Sequence, residues 1–89
     1  MSGRIKRNDD ILTAPLDDTL LMMSVEQGKY FGLNGAGPRI WELLEQPIAE
    51  DELVEVLLAE YEVTRETCTA EVAAFLAGLR ERDLLVDVP

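Results

Sequence analysis

The sequence predicts an α+β domain in which a small three-stranded antiparallel sheet is followed by a bundle of three helices. Three observations lead there. Thr19–Val25 and Lys29–Leu33 are apolar runs separated by Glu26-Gln27-Gly28, the pattern of a β-hairpin. Beyond Asn34 the apolar residues recur at helical spacings through three segments, divided by Pro47 and by the capping residue Thr64. The 89 residues contain no repeat, linker or low-complexity stretch, and a chain of that size has room for one core.

Residues 1–8 are polar and basic and are read as a mobile arm, leaving residues 9–89 as the domain. Ile11-Leu12-Thr13 forms a short first strand, ended by Ala14-Pro15 and a turn at Asp17-Asp18. The second strand, Thr19–Val25, has Leu21, Met23 and Val25 on one side and Leu20 and Met22 on the other. A half-buried strand alternates apolar with polar, so a second layer, a partner or a ligand is needed to cover the other face. In the third strand, Lys29–Leu33, Phe31 and Leu33 share one face and Tyr30 and Gly32 the other. Glycine weakens a strand and often marks a place where another backbone comes close.

Asn34 is suited to cap the first helix, with Pro38 in the first turn, Ile40, Trp41, Leu43 and Leu44 buried, and an end near Gln46 before Pro47. The second helix covers about Glu50–Tyr61, with Glu50, Asp51 and Glu52 at its positive end and Leu53, Val56, Leu57 and Tyr61 as its inner stripe. Thr64 caps the third, which runs from Arg65 to about Arg82. Its apolar face is Cys68, Val72, Phe75, Leu76 and Leu79, flanked by the small residues Ala70, Ala73, Ala74, Ala77 and Gly78. Leu84-Leu85-Val86 closes the chain against the core.

Composition removes most catalytic readings. There is no histidine, which excludes the common zinc sites and the Ser-His and Cys-His pairs, and Cys68 is the only cysteine, which excludes an internal disulfide. Cys68 lies on an apolar helix face with nothing nearby to lower its pKa, and it reads as a small core residue. The acidic clusters Asp9-Asp10, Asp17-Asp18 and Glu50-Asp51-Glu52 fit no calcium-loop spacing and read as solvated charge. Gly35-Ala36-Gly37 lacks both GxGxxG and a P-loop lysine. Nothing here makes an enzyme, and no cofactor is expected.

Charge narrows the partners. Residues 8–89 hold all eighteen acidic residues and only five of the eight basic ones, a surface that repels phosphate backbones and favours a cationic partner. Neither nucleic acid nor membrane is therefore expected. No apolar run is long enough for a membrane span and no apolar segment follows the basic start, so a cytoplasmic location is expected.

Three stretches, taken in order, resemble the PqqD-type family of leader-recognition domains, which hold precursor peptides during the biosynthesis of ribosomally made, modified peptides. They are Gly28-Lys29-Tyr30-Phe31-Gly32-Leu33-Asn34, then Ile40-Trp41-Glu42-Leu43-Leu44, then Val72-x-x-Phe75-Leu76-x-x-Leu79 with Leu84-Leu85-Val86. The form Tyr-Phe-Gly-Leu-Asn-Gly-x-Gly-x-x-Ile-Trp is most similar to the free-standing leader-binding proteins of lasso peptide pathways. The resemblance implies a winged-helix-like fold, and a leader that adds as a strand along the third strand in a cleft shared with the third helix.

Carried over by position, the implied site is Lys29, Tyr30, Phe31, Gly32 and Leu33 on the strand, with Cys68, Glu71, Val72, Phe75, Leu76 and Leu79 on the helix. Tyr30 is the favoured ligand contact, because its hydroxyl prefers a wet edge. The implied ligand carries Tyr-x-x-Pro followed by leucine, and the implied partners are a leader protease and a lasso cyclase; the protein itself is expected to be a monomer or weak dimer. A PqqD-like accessory to a radical or other modifying enzyme and, more distantly, a winged-helix DNA-binding protein are the alternatives. Two positions depart from the family pattern: Ala49 stands where Ser or Thr often caps the second helix, and Asp83 where Gly commonly follows the third.

Overall fold

A computed structural model of the chain describes residues 3–88. The three-stranded antiparallel sheet and the three helices stand as the sequence predicts, and two further strands join them. The order is β1 (Arg4–Arg7), β2 (Ile11–Leu16), β3 (Thr19–Ser24), β4 (Lys29–Leu33), α1 (Gly37–Leu43), α2 (Glu50–Glu60), α3 (Arg65–Glu81) and β5 (Leu85–Val88). Strands β2, β3 and β4 form one sheet in that order, while β1 and β5 form a separate antiparallel pair.

That pair corrects the reading of residues 1–8 as a mobile arm, at least for residues 4–7; residues 1 and 2 lie outside the described residues. Arg4 pairs with Val88 and Arg7 with Leu85, and the Ile5 side chain is buried. Ile5 also exchanges backbone hydrogen bonds with Ile48, 2.9 and 3.0 Å long, so β1 ties the end of the chain to the loop before α2. Arg7 donates to the Trp41 carbonyl (3.3 Å) and sits over the indole ring, which is why basic residues suit this strand.

The β2–β3–β4 sheet has the two faces that the alternation predicts. Leu20, Met22, Phe31 and Leu33 turn toward the core, where Met22 is fully buried. On the other face Leu12, Leu16, Leu21 and Tyr30 are exposed, and no described element covers them. Strand β2 runs three residues past its predicted end, through Pro15 to Leu16. It tolerates the proline because it is an edge strand, where one side of the backbone needs no ladder partner. Gly28 closes the β3–β4 turn with φ +64°.

The helices differ from expectation mainly at their ends. Asn34 does not cap α1: Gly35 intervenes at φ +62°, the Asn34 carbonyl accepts from Gly37 N–H (3.0 Å), and Ala36 takes the cap position. Helix α1 stops at Leu43 rather than near Gln46, in keeping with the extended backbone that Pro47 imposes before it. In α2 the inner stripe is Leu53, Val54 and Leu57, with Val56 only half-buried and Tyr61 exposed, because α2 packs along α3 with Val54 against Cys68. Thr64 caps α3 as predicted, its hydroxyl accepting from Thr67 N–H at 3.2 Å.

The core lies between the helices, the inner sheet face and the β1–β5 pair, around Met22, Leu44, Leu53, Leu76 and Leu84. Among the described residues no helix is long and apolar enough to cross a membrane.

Candidate functional site

Strand β4 pairs with β3 on one side only. Alternate residues of an edge strand turn their N–H and C=O groups away from the sheet, so β4 presents an unsatisfied main-chain ladder about five residues or ~17 Å long. Helix α3 faces this edge across a cleft of about 320 Å³, lined by Phe31, Gly32 and Leu33 from the strand and by Ala74, Phe75, Gly78, Leu79 and Arg82 from the helix.

The small residues keep the cleft open. Ala74 and Gly78 lie on the helix surface toward the strand, where larger side chains would fill it. A Cβ added to Gly32 would meet only Thr19 Cγ2, at 3.4 Å, an ordinary contact. Gly37 is small for a different reason. A Cβ there would come within 3.1 Å of Leu33 Cβ and 3.3 Å of the Phe75 ring, so Gly37 lets α1 begin against both walls of the cleft.

A second cavity of about 380 Å³ opens where α1, α2 and α3 meet. Ala36, Ile40, Leu57, Val63, Cys68 and Val72 supply its apolar lining, and Tyr61, Glu62 and Glu71 complete it. Phe75 lines both cavities, which therefore follow one another along α3. A larger cavity, about 610 Å³, shares no lining residue with either; Glu50, Asp51, Arg65, Arg80 and Asp87 line it, and two of these, Arg80 and Asp87, pair with each other at 2.9 Å.

The structure thus sorts the residues that the sequence singled out. Phe31, Gly32, Leu33, Phe75 and Leu79 meet at the strand–helix cleft; Cys68, Glu71, Val72 and Phe75 meet at the second cavity. Lys29 is exposed at the start of β4. Leu76, 1% exposed, is interior core and lines neither cavity. Tyr30, 73% exposed, points to the opposite sheet face, beside Leu12, Leu21 and Met23. It can reach only those side chains of an added strand that turn outward.

Sequence reasoning missed Arg82, whose guanidinium lies 5.8 Å over the Phe31 ring, and the contribution of Tyr61, Glu62 and Val63 from the α2–α3 loop. Their signal was position: each flanks an end of the α3 apolar face.

Cys68 is buried, with its sulfur 3.9 Å from the Val54 carbonyl. The carboxylates whose pKa values are lowered are surface partners of cations. Hydrogen bonding to Arg39 lowers Glu60, hydrogen bonding to Arg65 lowers Glu55, and hydrogen bonding to Lys6 lowers Asp9. What the site offers is an open strand edge beside two apolar cavities, the form of an extended-peptide receptor.

The chain belongs to the family described as coenzyme PQQ synthesis protein D (PqqD), whose model matches residues 19–85. Among solved structures it is similar to TbiB1 in complex with the TbiA(beta) leader peptide. The two share 38% identity and superpose with a TM-score of 0.80 over 90% of this chain and 93% of that one. It is also similar in fold to lasso peptide synthetase B1 complexed with the leader peptide, at 23% identity and a TM-score of 0.79 over 92% and 96% of the two chains. No curated protein matches it in sequence.

Proposed function

We propose that this protein is a non-catalytic recognition element of a lasso peptide pathway, which captures the leader region of a precursor peptide and delivers it to a leader protease and a cyclase. One observation carries the reading: the unpaired β4 edge runs along a cleft with α3, in a chain 38% identical over nine-tenths of its length to TbiB1, a protein solved with a leader peptide. The leader adds to β4 as a further antiparallel or parallel strand, and its side chains enter the cleft and the second cavity.

Energetics require both parts. A main-chain hydrogen bond contributes about 1 kcal/mol net while ordering a peptide residue costs roughly 1–2 kcal/mol, so a ladder alone barely binds. Large apolar side chains that become fully buried add about 1.5–3 kcal/mol each. Two such anchors, one per cavity, suffice for specific capture. A leader with an aromatic residue and a leucine a few positions apart suits the pair.

The test is a fluorescence-anisotropy titration with labelled leaders of candidate precursor peptides from the same genome, and the TbiA(beta) leader as comparator. Saturable binding that falls at least ten-fold in Phe75→Ala, with the fold retained by circular dichroism, is expected. Glu71→Lys is expected to slow association and flatten its salt dependence, because Glu71 is exposed beside the second cavity and attracts a basic leader. Absence of binding at tens of micromolar protein rejects the reading. Light scattering without peptide distinguishes self-association through the same edge.

A further inference from the structure

The candidate groove is charged oppositely at its two ends. The second cavity has Glu62 and Glu71 as its only charged lining residues, and the strand–helix cleft has Arg82 as its only one. Lys6, Arg39, Arg65 and Arg80 pair with carboxylates; Arg82, like Arg4, Arg7 and Lys29, forms no ion pair among the described residues, and of these four it alone lines the groove.

Its side chain is nevertheless held in place. Nη1 donates to the Gly78 carbonyl at 2.9 Å, one turn back on α3, and the guanidinium lies against the Phe31 ring on the facing strand. The Arg82 carbonyl accepts from Gln27 Nε2 at 2.8 Å, which anchors this end of α3 to the β3–β4 turn. Gly78 leaves the room this requires, since a Cβ there would stand 3.2 Å from Nη1. A guanidinium has five N–H donors in a planar fork, and that fork matches a carboxylate two-to-two. Stacking on an aromatic ring leaves the donors at its edge free.

We propose that Arg82 is a carboxylate subsite of the groove, and that the bound peptide carries Asp or Glu opposite the α3 C-terminus and no acid near Glu62 and Glu71. This rests on the reading of the groove as a peptide site and adds what that reading lacks, a charge order along the ligand. An apolar-anchored peptide entering backwards places its acid against Glu71 and its basic residue against Arg82, so the pair of opposite ends selects direction as well as composition.

The experiment is a selection from a phage-displayed library of random 15-residue peptides, run in parallel against the full chain and its Arg82→Glu variant, both checked by thermal melting. The wild type is expected to enrich Asp or Glu at a fixed offset from the apolar anchors. Arg82→Glu is expected to enrich Lys or Arg at that same offset, with the anchors unchanged. For one enriched peptide, replacing its acid by the amide should weaken binding about ten-fold to wild type and less than two-fold to Arg82→Gln. Gly78→Ala, which crowds Nη1 but keeps the charge, should retain part of the preference.

Enrichment of apolar anchors with no charged position, or with a charged position indifferent to Arg82, overturns the subsite and leaves the peptide groove standing. Enrichment of no peptide at all overturns the groove itself, and the subsite with it.

Discussion

Gly32 and Asp83 are two residues whose backbone positions explain more than their side chains do. Gly32 lines the cleft with main-chain atoms, and the space a Cβ would occupy lies on the other side of the sheet, against Thr19 Cγ2 at 3.4 Å. Gly32→Val is therefore expected to alter stability by no more than about 0.5 kcal/mol, since valine suits a strand and its Cβ makes only an ordinary contact. Its branched side chain stands beside the ladder that a peptide would complete, so leader affinity should fall at least ten-fold. Urea denaturation and anisotropy on the same preparation separate the two; equal losses would remove Gly32 from the peptide-binding edge.

Asp83 tests the other kind of backbone demand. It follows α3 with φ +58°, Leu84 N–H bonds to the Leu79 carbonyl (2.9 Å), and Asp83 N–H bonds to that of Arg80 (3.2 Å), the paired bonds of a Schellman termination. The departure from glycine noted in the sequence thus leaves the helix end intact and places an L-residue in a left-handed conformation. Asp83→Gly is expected to raise stability by roughly 0.5–1 kcal/mol, read as a higher urea midpoint at unchanged slope.

At the scale of elements, the β1–β5 pair has a measurable consequence. Ile5 is 7% exposed and belongs to the main core cluster, so β1 is part of the folded body. Ile5→Ala is expected to cost about 2–4 kcal/mol in urea denaturation, a large share of the stability of so small a domain. A loss below 0.5 kcal/mol would mean that the first strand is dispensable.

This strand also marks where the sequence stopped being legible. Strand β4 and the apolar face of α3 were readable to the residue, because a turn glycine and helical spacing are local signals. Arg-Ile-Lys-Arg carries one apolar residue among three cations, and its partner lies some eighty residues away, so no local pattern reveals the pairing. The cap expected for α1 failed for a related reason, while Thr64 caps α3 as predicted. Asn34 is a good capping residue two positions too early, and Ala49 caps α2 without a side-chain acceptor, with only Glu52 returning a bond to Ala49 N–H (3.0 Å). The cleft residues were legible as a helix face and a strand, but which side of β4 faced the helix was not, and Tyr30 turned out on the far side.

The whole molecule is dominated by its charge, −10 at neutral pH, and the ion pairs among its described residues lie at the surface. Arg39 is the most connected, bridging Glu42 on its own helix and Glu60 at the end of α2 with bonds of 2.7–3.2 Å to the latter. These bonds hold the Glu60 carboxyl below its ordinary 4.5. A carboxyl lowered in the folded state binds its proton less readily there than in the unfolded chain. Its contribution is therefore complete above pH 4.5 and is lost as the pH falls through the lowered value.

Arg39→Gln removes that difference. The gap in melting temperature between wild type and variant should stay constant from pH 7 to about 5 and close as the pH is lowered below 4.5. Protonation of the other acids relieves self-repulsion in both proteins and cancels in the comparison. A gap that persists at pH 3 would assign the stabilisation to packing of the Arg39 stem between α1 and α2 rather than to the ion pair. Raising the salt concentration at pH 7 gives the same discrimination, since screening shrinks an exposed ion pair and leaves packing untouched.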